Sequence, residues 1–134
     1  MIAIPSGTPG LMKIDRMDPP REFRVGAAND IVLRHAANLA LANDEMVTFT
    51  TASGTEYDVV RKSWGYYATP SLNGRLPRFR LRPALVRSTT TGNSFVMLVE
   101  SGHEADFASY LTKENLVVLA WLDALEIEIR PAGQ

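Results

Sequence analysis

The residues best suited to chemistry in this chain are arginines, which cluster in one stretch together with aromatic side chains. From Trp64 to Arg87 the sequence reads WGYYATPSLNGRLPRFRLRPALVR and contains no Asp or Glu. The guanidinium group presents a planar fork of N–H donors, which suits bidentate contacts to carboxylate or phosphate. The stretch therefore indicates a surface that binds anions.

Arginines alternate with apolar residues in the segment Arg78, Phe79, Arg80, Leu81 and Arg82. Because successive side chains of a strand point to opposite faces, this spacing predicts three guanidinium groups on one face. A second interpretation is a protected edge strand, since positive charge and nearby prolines both discourage pairing with another sheet. The sequence leaves both interpretations open.

An aromatic group stands next to two further cations, Arg61 and Lys62. Flat apolar rings with a polar edge suit stacking against a sugar or a base, although aromatic rings also dominate ordinary cores. Together with the arginine segment, this group supplies the candidate ligand-binding residues. They are Trp64, Tyr66, Tyr67, Asn73, Arg75, Arg78, Arg80 and Arg82.

Charge is unevenly distributed along the chain. Residues 59–98 hold seven basic and no acidic residues, whereas the remainder holds seven basic and fifteen acidic residues. Such segregation is typical of an anion-binding surface, or of two faces that pair within a fold or between subunits. Because the whole chain has a net charge of −1, nucleic acid is a less expected partner.

Several classes of chemistry lack the residues that they require. The chain has no cysteine and two histidines, His35 and His103, far apart in sequence, so neither a metal site nor a cofactor is expected. No P-loop, dinucleotide-binding or hydrolase motif occurs, so no catalytic residue is identified. Glu56 and Asp58 alternate as an acid pair would, but this spacing is more typical of a solvated strand face.

At 134 residues and 46% hydrophobic content, the chain is expected to form one domain with one core. Residues 1–21 are rich in Pro and Gly and predict a loosely ordered N-terminal arm, followed by a single α+β domain over residues 22–134. With no apolar run long enough for a bilayer and no signal-like start, the expected location is cytoplasmic, without a membrane partner.

The expected architecture is a mostly antiparallel sheet built from hairpins, with one main capped helix near the C-terminus. Residues 46–51 and 55–62 alternate around a turn at 52–54, and residues 79–88 and 94–100 flank a second turn. The apolar runs 95–99 and 116–121 predict strands covered on both faces, and LEIEIR after them predicts an edge strand. Residues 22–26 also predict a short strand.

The helix is predicted over about residues 103–112. Ser101 and Glu104 have the S-x-x-E spacing of a capping box, in which the two side chains satisfy each other's exposed amides. Phe107, Tyr110 and Leu111 would form the buried side. Residues 29–43 fit either an alanine-rich helix or two short strands, and the pattern does not separate them.

Three phrases, YDVVRKSWGYYATPSLNGRL, FVMLVESGHEADFASYL and VVLAWLD, resemble those of a group of small bacterial proteins of unknown function. The resemblance covers roughly residues 23–124, and the phrase WG-Y-ATPSLNGRL is specific to that group. It implies a loose association with surface-polysaccharide and sugar-nucleotide gene neighbourhoods, and no established activity. It also implies strands in the segment matching residues 29–45.

Two functional hypotheses follow. The first is a non-catalytic binding or accessory protein that recognises an anionic carbohydrate, a sugar nucleotide or an acidic partner through the arginine-rich strand. A protein partner or a homo-oligomer is compatible with it. The second is a small enzyme acting on a sugar or nucleotide. In that case Arg75 and Arg78 would hold the anion, with Tyr67, Glu56 or Asp58 as acid or base.

Overall fold

The computed structural model of the protein describes residues 12–124, which contain eight strands and two helices. The pairings are antiparallel, so the α+β class with a mostly antiparallel sheet system is confirmed. The strands are β1 Lys13–Val25, β2 Ile31–Ala40, β3 Met46–Thr50, β4 Glu56–Lys62, β5 Gly65–Ala68, β6 Leu81–Ser88, β7 Ser94–Glu100 and β8 Leu116–Trp121, and the helices are α1 Arg75–Arg78 and α2 Glu104–Lys113.

The chain divides into two compact units. Within the described residues, the first unit takes 12–49 together with 57–69, and the second takes 50–56 together with 70–124.

In the first unit, β1 and β2 form a two-stranded antiparallel ribbon with a register shift between Arg16 and Arg21. Residues 13–21, expected to be a loosely ordered arm, belong to β1, because β2 supplies the pairing that the local sequence does not reveal. Residues 1–11 of that arm lie outside the described part. Residues 31–40 form one continuous strand, so the helical alternative for the alanine-rich segment is wrong.

Strands β3, β4 and β5 form a second sheet in the order β3-β4-β5. The predicted hairpin between residues 46 and 62 is confirmed. Asp58, expected on a solvated face, is buried instead. Its carboxylate accepts hydrogen bonds from the hydroxyl groups of Thr48 and Thr69, which explains how a charged group is tolerated there.

In the second unit, a three-stranded sheet has the order β7-β6-β8. The predicted hairpin of the second turn is confirmed as β6 and β7, although β6 begins at Leu81. Strand β6 is central, so the interpretation of its start as an edge strand is wrong. The Pro83 carbonyl accepts a hydrogen bond from Leu122 N, just past the end of β8. The proline nitrogen, which has no hydrogen to donate, therefore faces the place where pairing with β8 stops, and the proline is tolerated in this central strand.

Among the strands of residues 12–124, the two apolar runs expected to be covered on both faces are the outer strands of this sheet. Val96 of β7 and Leu119 of β8 remain exposed. The buried central positions belong to β6, whose Ala84 and Val86 are fully enclosed. The sequence pattern did not predict that β6 is the central strand, because its arginines interrupt an otherwise apolar strand. The predicted strand LEIEIR lies outside the described residues.

Helix α2 is confirmed near its expected position, but its start differs. Its N-cap residue is His103, and no side chain makes a capping hydrogen bond. The carboxylate of Glu104 accepts a hydrogen bond from Gly102 N at 2.9 Å, whereas Ser101 N donates to the Arg80 carbonyl, so the predicted capping box of Ser101 and Glu104 is wrong. Phe107 and Leu111 are partly covered, whereas Tyr110 is exposed. Neither described helix has the length and apolar character needed to cross a bilayer.

Candidate functional site

The first candidate surface is the tight hairpin between β4 and β5, here called the aromatic hairpin. Lys62 pairs with Gly65, so the turn consists of Ser63 and Trp64. Gly65 has a φ of +144°, a conformation open mainly to glycine, and it returns the chain to the ladder directly after Trp64. The side chain of Trp64 is consequently presented at the tip. The aromatic hairpin comprises Arg61, Lys62, Trp64, Tyr66 and Tyr67.

One face of the aromatic hairpin is a pair of stacked rings. The ring centroids of Trp64 and Tyr67 are 6.1 Å apart with an interplanar angle of 20°. Trp64 is 69% exposed and Tyr67 is also exposed, so neither belongs to a core. Such near-parallel open rings offer the flat, electron-rich surface against which the C–H face of a sugar or the plane of a base packs.

Cations lie beside both faces of the aromatic hairpin. The Arg61 guanidinium lies 5.6 Å from the centroid of Tyr66, with which Arg61 is paired across the strands. Lys62 forms an ion pair with Asp44. That hydrogen bond, aided by the nearby Tyr67, raises the pKa of Lys62 above its ordinary value. Stacking rings and positive charge therefore occur together on one short hairpin.

The second candidate surface is the arginine segment, residues 75–82, and it does not form the predicted strand. Arg75 and Arg78 lie on helix α1, Arg80 lies in a turn with a φ of +61°, and Arg82 alone lies in β6. The expected single face of three guanidinium groups is therefore wrong. The reason is the preceding turn, which starts a helix where the alternation predicted an extended chain.

That turn is built around Ser71 and Gly74. The hydroxyl of Ser71 accepts a hydrogen bond from Arg75 N at 3.1 Å, and its carbonyl accepts from Gly74 N and Leu76 N. A methyl group at position 74 would overlap the Ser71 hydroxyl, while it would lie 3.7 Å from the Ser71 Cβ, an ordinary contact. An alanine at position 74 would therefore force the Ser71 hydroxyl to move. Asn73 is exposed beside it.

Replacing Gly74 with alanine should lower the free energy of unfolding by about 1 kcal/mol, because the displaced hydroxyl loses its bond to Arg75 N. In a Ser71→Ala background the same replacement should cost less, since the clashing atom is gone. Urea denaturation of the two single variants and the double variant measures this coupling. Strictly additive effects would contradict the proposed role of Gly74.

Two arginines of the segment already have partners within the second unit. Arg80 donates to the carbonyl of Ser53. Arg82 donates to Asp123 through Nε at 2.9 Å and through Nη2 at 3.2 Å, and its guanidinium lies 4.1 Å from the centroid of the Trp121 ring. These contacts give both arginines a structural role, which leaves Arg78, exposed at the end of α1, as a more accessible cation.

The bond to Arg82 holds the pKa of Asp123 below its usual range. A carboxylate whose pKa is lower in the folded chain stabilises the fold above its unfolded pKa of about 4, and this contribution is lost as the pH falls through the folded value. Asp123→Asn should therefore cost about 0.5–1 kcal/mol at pH 7, a small effect because Arg82 is half exposed.

The cost of Asp123→Asn should shrink as the pH falls below about 4. Urea unfolding at pH 7, 5 and 3 measures it, with Asp15→Asn as the control for losing one exposed negative charge. A cost that is constant across this range would contradict the ion-pair assignment.

Asp58 and His103 are the remaining titratable candidates whose contacts the structure describes. Both carboxylate oxygens of Asp58 accept from threonine hydroxyls, and His103 lies 3.3 Å from Asp106 on an exposed helix start. Within residues 12–124, no three His, Asp or Glu side chains gather in a way that would hold a metal.

Each unit gathers its own share of the predicted ligand-binding residues. The three aromatic residues lie together on one hairpin, while Asn73 and the four arginines share a segment without sharing a face. The sequence did not predict the hydrogen bonds of Asp44, Ser71 and Asp123. The sequence around each of these residues does not show which partner it contacts. Only the S-L-N-G spacing offered a local signal for Ser71. A ligand-binding role for any of these residues stays a prediction.

No family model, curated protein or solved structure matches this chain.

Proposed function

We propose that this protein is a non-catalytic binding or accessory protein that recognises an anionic carbohydrate or a sugar nucleotide through the aromatic hairpin. The observation that carries the proposal is the open stack of Trp64 and Tyr67, with Lys62 near Tyr67 and with Arg61 against Tyr66 on the other face of the hairpin. The stack suits the flat part of the ligand, and the cations suit its acidic part. The resemblance to proteins of polysaccharide-related gene neighbourhoods points to the same ligand class.

Burial is the reason to assign the rings to binding rather than to packing. Burying a large aromatic side chain stabilises a fold by roughly 1.5–3 kcal/mol, so a small domain rarely leaves several such rings in water together. Trp64, Tyr66 and Tyr67 are all exposed on seven consecutive residues that also carry Arg61 and Lys62. The cost of that exposure is offset if a ligand covers the rings.

The arginine segment contributes only Arg78 to the proposal. Since Arg80 and Arg82 are engaged within the second unit, we assign the anion contact of that unit to Arg78 and treat it as separate from the aromatic hairpin. An acidic protein partner is the other ligand for such a cation. The enzyme hypothesis gains no support from Asp58, whose carboxylate is already occupied by two hydroxyl groups.

The proposal is tested by a thermal-shift panel on the full chain with UDP-glucuronic acid, glucose 1-phosphate, an oligogalacturonate and a short oligothymidylate. A ligand that binds the native state raises the melting temperature by mass action. We expect a shift with at least one acidic sugar and a weaker or absent shift with neutral glucose, which is added to the panel as the uncharged control. No shift with any acidic sugar would overturn the proposed ligand class, and a shift with the oligonucleotide alone would reassign it to nucleic acid.

Arg78→Ala is the second arm of this panel. If Arg78 forms an anion contact of its own in the second unit, the shift should decrease in the variant, while the part of the response that the aromatic hairpin contributes should remain. Arg87→Ala, which removes an exposed arginine from strand β6, is the matched control. Equal effects of the two substitutions would contradict an anion contact at Arg78.

A further inference from the structure

The β1–β2 ribbon carries four apolar side chains on one face that the described part of the chain leaves exposed, with the Arg16–Ala37 and Arg21–His35 pairs between them. Its register pairs Phe23 with Leu33 and Ile14 with Leu39, and all four side chains belong to the same face, since β2 residues of odd number point one way. Their exposed fractions are 40%, 44%, 51% and 39% respectively. A two-stranded ribbon alone is marginally stable in water, and further strands paired along its edge would stabilise it.

The two edges of the ribbon differ in their capacity to pair. Strand β1 carries Pro19 and Pro20 at its register shift, and a proline-bearing, irregular edge does not accept another strand. Strand β2 runs from Ile31 to Ala40 without proline or irregularity. No other described strand pairs with it. The outer edge of β2 is thus a regular, ten-residue row of main-chain donors and acceptors.

We propose that two copies of this chain pair through the outer edges of β2, antiparallel about a two-fold axis at Ala36, to form a four-stranded sheet. This inference does not rest on the proposed binding function. An axis at Ala36 places Leu33 opposite Leu39 of the second copy. A row of apolar side chains then crosses the whole sheet, from Phe23 and Leu33 of one copy to Leu39 and Ile14 of the other.

The residues of β2 distinguish this register from its neighbours. Shifting the pairing by one residue would join the apolar face of one ribbon to the polar face of the other. Moving the axis to His35 would set two histidines directly opposite one another. With the axis at Ala36, Arg34 faces Asn38 and His35 faces Ala37, so no like charges are opposed and small side chains lie at the centre.

The size of the junction is adequate for a specific dimer. Ten residues at about 3.3 Å each give an edge roughly 33 Å long. Antiparallel pairing along it forms on the order of eight to ten main-chain hydrogen bonds, as many as a standard protein interface holds. The two aligned apolar rows add hydrophobic contacts across the four strands, on either side of a centre that holds the Arg16–Ala37 and Arg21–His35 pairs.

The test uses opposite charges at the axis. Ala36 is exposed, so a charged side chain there is tolerated by the single chain. In the dimer, Ala36→Glu places two carboxylates opposite each other and Ala36→Lys places two ammonium groups there, and each should weaken dimerisation at least tenfold. Mixing the two variants should restore a dimer with one copy of each. Ala28→Glu, in the exposed turn between β1 and β2, is the matched control.

Sedimentation velocity over a range of concentrations and native mass spectrometry of the mixture provide the readout, with circular dichroism to confirm folding. We expect a wild-type dimer, weaker dimers for the two Ala36 variants, a restored heterodimer and no effect of Ala28→Glu. A wild-type chain that stays monomeric at several hundred micromolar would overturn the proposal. So would a dimer that Ala36→Glu and Ala28→Glu affect equally, because another surface would then carry the association.

Discussion

Leu76→Ala should lower the free energy of unfolding by about 2–5 kcal/mol, the range for removing a fully enclosed leucine side chain. Leu76 has no exposed surface, although it lies on a helix of only four residues. A helix that short has no stability of its own. We therefore infer that the buried side chain fixes α1, and with it the positions of Arg75 and Arg78.

Urea denaturation of the wild type and of Leu76→Ala measures this loss. Leu72→Ala is a matched control, because Leu72 lies in the same turn region, 45% exposed, and undergoes the same chemical change. The control should change stability by at most about 0.5 kcal/mol. If both variants lose equal stability, or neither does, Leu76 does not anchor the arginine segment.

Trp64→Ala should weaken the binding of an acidic sugar nucleotide by roughly tenfold or more while leaving the fold intact. Stacking on an aromatic side chain contributes about 1–3 kcal/mol per base, and about 1.4 kcal/mol corresponds to a factor of ten in affinity. Because the side chain of Trp64 is mostly in water, its removal leaves no cavity. The expected loss therefore appears in affinity and not in the melting temperature of the free protein.

Calorimetric titration with UDP-glucuronic acid compares the variant with the wild type. Tyr110→Ala serves as the control, since Tyr110 is an exposed aromatic residue on α2, outside the aromatic hairpin. Unchanged affinity in Trp64→Ala would separate the ligand from the aromatic hairpin. A loss of the same size in the control would show that exposed aromatic residues affect binding without forming a site.

Local sequence patterns predicted those elements whose signals are complete within a few residues. The hairpin of β3 and β4 follows from strict alternation around Ala52-Ser53-Gly54, and the hairpin of β6 and β7 from a turn at Gly92-Asn93. Helix α2 follows from its polar start and apolar spacing. The α+β class is the sum of these local results.

Strand order could not be predicted in the same way, because it depends on partners far away in sequence. Alternating arginines made β6 resemble an edge, whereas Pro83 is accommodated in a central strand by the end of β8. Continuous apolar runs made β7 and β8 resemble central strands, whereas both are outer strands in the sheet that the described residues form. Alternation reports which faces are polar, but it does not report how many neighbours a strand has.

In the candidate site too, the features set by neighbouring residues could be predicted and those set by distant partners could not. The aromatic group is consecutive in sequence and remains together in space, since a two-residue turn joins its strands. The arginine segment is also consecutive, yet a serine hydroxyl and a glycine start a helix inside it and separate its guanidinium groups. Partners such as Asp123 for Arg82 depend on tertiary pairing, which no spacing rule supplies.

The central claim is tested most directly by the indole N–H signals of the two tryptophans, recorded by NMR during titration with UDP-glucuronic acid. Trp64→Phe assigns the signals. Trp121 is an internal reference, because it packs against Arg82 and Phe107 in the second unit. We expect the Trp64 signal to move in a saturable manner while the Trp121 signal stays in place. Movement of the Trp121 signal alone, or of neither signal, would contradict binding at the aromatic hairpin.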